Sequence, residues 1–235
     1  MGAPSPPLST GTASTNPLED YFDTHVLGPG VFKWRHYFPI YDRHLSRFRD
    51  TPVRILEIGV LGGGSLHMWR HYFGAAAHVT GVDIDPACTA LAADGIDIQI
   101  GDQGDPAFWR AFLASAPPID IVIDDGGHHP EQQVATLECL LPHIRAGGVY
   151  ICEDIHGPFQ PFQSFLDGLT RPLSALGDGE TPPPHLHLHV ASVHRYPLVA
   201  VIEKPAVSSV FEAQLHGSEW PAGPGPWDSL ASVQR

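Results

Sequence analysis

Five short apolar runs, VRILEIGV from Val53, HVTGVDI from His78, IDIQIGD from Ile96, IDIVIDD from Ile119 and GGVYICEDI from Gly147, are separated by four stretches carrying helix-start signals. Gly62–Gly64 precedes a run ending at Gly74, and Asp85-Pro86 opens a second helix predicted to reach Ala93. Asp105-Pro106 opens a third, stopped by Pro117-Pro118, and a fourth runs from Pro130 to Ile144. This beat of strand and helix forces a parallel sheet covered by helices on both faces, with ligands at the carboxyl ends of the strands. A chain of 235 residues with 43% apolar content can bury one such core.

The rhythm breaks at both ends. Residues 1–17 read as a disordered tail, and 18–50 as a helical cover in which Phe38, Tyr41, Leu45 and Phe48 recur at spacings of three and four. The core is expected over 51–204. After a loosely helical FQSFLDGL and a Pro/Gly loop, HLHLHVASVHRY and LVAVIEK read as a hairpin turning at Tyr196-Pro197, antiparallel to the rest. Residues 205–235 read as an irregular arm. The fold class is α/β, a doubly wound, mostly parallel seven-stranded sheet of Rossmann-like type.

The first glycine turn, EIGVLGGGS, lacks the GxGxxG offsets of a dinucleotide site. Glu57 at the end of the first strand would repel a diphosphate but suits a ligand carrying an ammonium and a sulfonium, which points to S-adenosylmethionine. On that reading Asp83, ending the second strand, takes the ribose hydroxyls, and Asp102, with Gln103 beside it, meets the adenine amino group.

Asp124-Asp125 follows the fourth strand and Glu153-Asp154 ends the fifth, so adjacent strand ends bring carboxylates together. Such crowding requires a cation, and all-oxygen donors suit Mg²⁺, with Mn²⁺ or Ca²⁺ as substitutes. Strand alternation selects Asp125 over Asp124, giving Asp125, Glu153 and Asp154 as ligands. His128, three residues after Asp125 across Gly126-Gly127, is the candidate general base, and His129 the alternative. His185, His187 and His189 alternate along HLHLHV and are expected on one face of an edge strand.

Charge and cysteine usage exclude several functions. With 26 acidic against 13 basic residues the formal charge is -13, wrong for a phosphate-backbone binder or an anionic membrane surface. Three cysteines, Cys88, Cys139 and Cys152, form no pairable framework and suit a reduced, cytoplasmic setting. No run is long enough to span a membrane.

LEIGVLGGGSLHMWRHYFG, GVDIDPAC, DDGGHH, GGVYICEDI and VASVHRYPLVAVIEK resemble the metal-dependent class I O-methyltransferases that act on sugars of bacterial natural products, over about Lys33 to Lys204. The resemblance implies adenosylmethionine contacts at Glu57, Gly59, Ser65, Asp83, Asp102 and Gln103. It also implies metal ligands at Asp125, Glu153 and Asp154, His128 as base, Mg²⁺, and a homodimer or homotetramer. The acceptor implied is a small glycosylated molecule, a vicinal diol or catechol offering two oxygens to one metal, with no nucleic acid or membrane partner. Gly127 stands where several relatives carry serine. A hydroxylase-like enzyme or a non-catalytic metal-loaded subunit of the same fold are the competing expectations.

Overall fold

The structure is a computed structural model and describes residues 16–157, 161–174 and 186–206. The expected N-terminal tail and C-terminal arm fall almost entirely outside these residues, as does His185.

Seven strands form one sheet in the order β3-β2-β1-β4-β5-β7-β6. They are β1 (Arg54–Ile58), β2 (His78–Asp83), β3 (Ile96–Ile100), β4 (Ile119–Asp124), β5 (Ile144–Cys152), β6 (Ser192–Tyr196) and β7 (Val199–Glu203). The first five run parallel, and β7 pairs antiparallel with both β5 and β6. The expected fold is what forms. The order reverses between β1 and β4, placing a crevice above their carboxyl ends.

Among the described residues six helices cover the sheet: α1 (Pro17–Thr24), α2 (Tyr37–Leu45), α3 (Gly64–Phe73), α4 (Pro106–Leu113), α5 (Pro130–Leu140) and α6 (Pro161–Ser174). Because side chains alternate along a strand, each central strand feeds two cores. Ile55, Ile121, Ile123, Val149 and Ile151 pack with Phe38, Tyr41 and Trp69 under α1, α2 and α3. Leu56, Ile58, Val122 and Tyr150 pack with Trp109, Leu137 and Phe162 under α4, α5 and α6.

Several local expectations are corrected. The N-terminal cover contains two helices joined by an irregular segment that carries Gly28 in the left-handed region and Gly30. Pro86–Leu91 is a 3₁₀ turn, not a helix through Ala93, although Asp85 caps it as expected by accepting from the Ala87 amide at 2.9 Å. Helix α5 stops at Leu140, and β5 already starts at Ile144. Lys204 closes that corner by donating to the carbonyls of Leu141, Pro142 and Ile144. His187–His189 is a 3₁₀ turn, so these histidines do not alternate along a strand.

A different histidine cluster ties the cover to the hairpin. His44 is 3% exposed, with Nδ1 2.7 Å from Glu203 Oε1 and Nε2 2.9 Å from the Tyr196 hydroxyl. A carboxylate only accepts, so Nδ1 carries the proton and Tyr196 donates to Nε2. The His194 ring lies 4.7 Å from that of His44, tilted by 57°, and its Nε2 meets the Ser192 hydroxyl, while Arg47 also bonds Glu203. These groups are engaged with one another, as befits a latch between α2 and the β6-β7 edge.

Candidate active site

The strand alternation that builds the two cores also sorts the acids. Glu57, Asp125 and Glu153 continue the face of Ile55, Ile123 and Ile151, and so turn toward the N-terminal cover. Asp124 falls on the opposite face. It is buried, accepting from Tyr150 Oη at 2.7 Å and Gln103 Nε2 at 2.9 Å, and burial pushes its carboxyl up to about 6. Alternation along the strand therefore separates Asp125 from Asp124 in space.

The sequence reading missed what stands among the three acids. Lys33, from the segment between α1 and α2, is 2% exposed in its side chain. Its Nζ lies 2.6 Å from Asp125 Oδ2, 3.0 Å from Glu153 Oε2 and 3.4 Å from Glu57 Oε1. The second oxygen of Glu153 accepts from Tyr41 Oη at 2.6 Å, and that of Glu57 from Ser65 Oγ at 2.9 Å. Burial raises the pKa values of both glutamates, with Lys33 pulling the other way. The only signal in the sequence was a lysine embedded in an aromatic run, and nothing local distinguishes it from a surface lysine.

Nearer the solvent, Asp125 Oδ1 and Asp154 Oδ2 lie 3.9 Å and 3.7 Å from His128 Nε2. Tyr37 Oη and Trp34 Nε1 both donate to Asp154 Oδ1, at 2.6 Å and 3.0 Å. His128 and Asp154 sit at φ 57° and 51°, a left-handed conformation that non-glycine residues adopt at some cost and that recurs at working sites. The His128 Nδ1 is buried without a hydrogen-bond partner.

These residues fit a divalent cation. Asp125, His128 and Asp154 each offer one donor atom, all within 4.8 Å of one another. Oxygen-rich donors of this kind suit a hard ion. Glu153 stands apart from that trio: both its oxygens are taken by Tyr41 and Lys33.

One cavity of about 450 Å³ runs from this cluster across the carboxyl ends of the parallel strands to the first glycine turn. Asp83, Asp102, Gln103, Gly59 and Ser65 line it, but Glu57, fully buried, does not. Lys33 and Ser65 contact its carboxylate, at 3.4 Å and 2.9 Å. Asp83 accepts from the amides of Val60, Leu61 and Asp85. Burial opposes its ionisation, but those amides outweigh it and hold its pKa below the ordinary value. Asp102 accepts from the Gly104 amide at 2.8 Å and is otherwise exposed toward the cavity. Gln103 accepts from the Gly127 amide at 2.6 Å and donates to Asp124 and Thr136, so its amide fixes the turn before His128.

Residues 56–155 match the family model described as a methyltransferase domain. The chain is 34% identical to demethylmacrocin O-methyltransferase of Streptomyces fradiae over 83% of its own length and 55% of that protein's. It is 36% identical to 8-demethyl-8-alpha-L-rhamnosyl tetracenomycin-C 2'-O-methyltransferase of Streptomyces olivaceus, covering 78% of this chain and 54% of the relative. The chain spans about half the length of the curated relatives it matches. Among solved structures, the MycE methyltransferase of the mycinamycin biosynthetic pathway, in complex with Mg and SAH, superposes with a TM-score of 0.66. The two are 30% identical, over 81% of this chain and 54% of that one. Sheet order, matched domain and extended identity together place this chain in the class I methyltransferase family, as a relative of the O-methyltransferases that modify sugars of natural products.

Proposed function

We propose that this chain transfers a methyl group from S-adenosylmethionine to a hydroxyl of a glycosylated natural product, with a divalent cation, Mg²⁺ for preference, at Asp125 and Asp154. One observation carries the reading: a single cavity joins the Gly59 turn, Asp83 and Asp102 to the Asp125, His128, Asp154 cluster. A cofactor seated on the first three strand ends directs its methyl toward the fourth and fifth.

The cation, when bound, lowers the pKa of the acceptor hydroxyl and fixes its position. His128 Nε2 takes the hydroxyl proton, and the flanking Asp125 and Asp154 carboxylates, 3.9 Å and 3.7 Å away, stabilise the imidazolium. The remainder is placement: Tyr37 and Trp34 orient Asp154, Gln103 orients the turn before His128, and Lys33 orients Asp125. A diol is the acceptor best suited, since two oxygens can meet one ion. Around the mouth Phe32, Trp34, Leu61 and Ile84 are 83%, 49%, 80% and 68% exposed, a wall suited to an apolar aglycone beside the sugar.

The test is methyl transfer to a panel of glycosylated macrolides and aromatic polyketides, with calorimetric binding of S-adenosylmethionine, in Mg²⁺ and in EDTA. Micromolar cofactor binding and Mg²⁺-dependent transfer are expected. Undiminished transfer in EDTA sinks the metal role, and absence of cofactor binding sinks the reading.

The 4.8 Å grouping favours a second role for His128, as a third ligand. Mg²⁺ titration of His128→Ala separates the two. Retained ion affinity with turnover lowered about 10²- to 10⁴-fold identifies a base, and lost affinity identifies a ligand.

A further inference from the structure

Three carboxylates from neighbouring strand ends converge on one ammonium with three hydrogens to give. Glu57 comes from β1, Asp125 follows β4, and Glu153 follows β5. Lys33 meets all three, and Tyr41 and Ser65 satisfy the outer oxygens of Glu153 and Glu57. Only Asp125 has an oxygen left over, and it faces His128. Asp125 is therefore shared between a buried ion group and the more exposed cluster beside it at the cavity.

We infer that Lys33 is a built-in counter-ion and positioning residue: it offsets enough of the charge of the three carboxylates for the site to form without a metal, and it turns Asp125 Oδ1 toward the cavity. The assignment of Asp125 as a cation ligand rests on the function proposed above; the charge compensation does not. A buried charge that loses its partner is strongly destabilising, whereas removing both members of a pair is far better tolerated. Lys33 is also the anchor that draws the cover segment onto the sheet, since its backbone lies between the exposed side chains of Phe32 and Trp34 at the cavity wall.

The consequence is a trade between lysine and metal. Without Lys33, Glu57, Asp125 and Glu153 face one another without their shared ammonium, and a divalent cation is the charge best able to replace it. Folding then depends on metal in a way it does not when the ammonium is present.

The experiment compares melting of the full chain, as wild type, Lys33→Met and Lys33→Met/Glu57→Gln, in EDTA and in MnCl₂. In EDTA, Lys33→Met is expected to melt roughly 10 °C below wild type. Its upward shift on adding Mn²⁺ should exceed that of wild type, and the second substitution should recover part of the EDTA deficit by removing a carboxylate that lies outside the cavity. Melting of Lys33→Met within about 2 °C of wild type in EDTA, less than the loss of one ordinary interaction, overturns the inference. So does a Mn²⁺ shift no larger than that of wild type. If Lys33→Met does not fold, the double variant decides: folding supports compensation, and failure in both media overturns it. None of these readouts requires methyl transfer, so a failed acceptor screen leaves them interpretable.

Discussion

The Tyr37 hydroxyl donates to Asp154 Oδ1 at 2.6 Å, and the Asp154 amide donates back to the same hydroxyl at 3.3 Å. One phenol from the N-terminal cover thus holds both the side chain and the left-handed backbone of a candidate cation ligand. Burial, and the Asp154 carboxylate beside it, push the Tyr37 pKa far above the ordinary phenol value, so it remains a donor across the working range.

Tyr37→Phe removes that donor while keeping the ring. Outer partners of this kind typically contribute 10- to 100-fold to metal affinity, and a loss of that order in Mn²⁺ affinity is expected by calorimetry. Trp34 still donates to Asp154, so the site should be weakened rather than abolished.

Gly59 has φ 89°, and a Cβ there would collide with the Asp125 carbonyl. Gly59→Ala combines that clash with a handedness cost of about 1–2 kcal/mol. A drop of at least roughly 4 °C in melting temperature is expected. Because the colliding atom belongs to Asp125, Mg²⁺ affinity should fall as well. Unchanged affinity would show that the turn and the ligand are not coupled.

Gln103 spans Asp124, Thr136 and the Gly127 amide. Gln103→Leu takes the side-chain acceptor from the Gly127 amide and one of two donors from Asp124, which keeps Tyr150; a buried group left unpaired costs about 1–3 kcal/mol. Thermal denaturation should show a large loss, together with slower turnover from a displaced His128. A variant that melts normally but binds S-adenosylmethionine weakly would identify Gln103 as a cofactor contact.

Burial lowers the pKa of His44 despite the opposing Glu203 carboxylate. In the unfolded chain histidine titrates near 6.5, so below that pH the unfolded state binds a proton that folded His44 resists. Its contribution to stability is fully present above about pH 6.5 and is lost as pH falls toward the depressed folded value. For Glu203 burial opposes ionisation, but His44 and Arg47 outweigh it and lower the pKa, so that contribution is lost only at more acidic pH, below the ordinary glutamate range. Melting temperatures of wild type and His44→Phe between pH 5 and 7.5 should show the shallower slope in the variant. Parallel slopes would discount the latch.

The sequence by itself determined the sheet, because strands and helices announce themselves through local periodicity and through proline, glycine and aspartate at their ends. Alternation along β4 also separated Asp125 from Asp124, a choice that needs no knowledge of neighbours. It did not distinguish the six-residue 3₁₀ turn at Pro86–Leu91 from a helix, nor the turn at His187–His189 from a strand, since so few residues carry little periodic signal. Only the tertiary structure decided what the buried acids touch. Lys33 lies 24, 92 and 120 residues from Glu57, Asp125 and Glu153, and their meeting depends on how the N-terminal cover packs over three adjacent strand ends. Local sequence specifies an element and its faces. A charge partner across the core is specified by the packing of whole elements, which is why the lysine that meets Glu57 was not legible in the sequence around either residue.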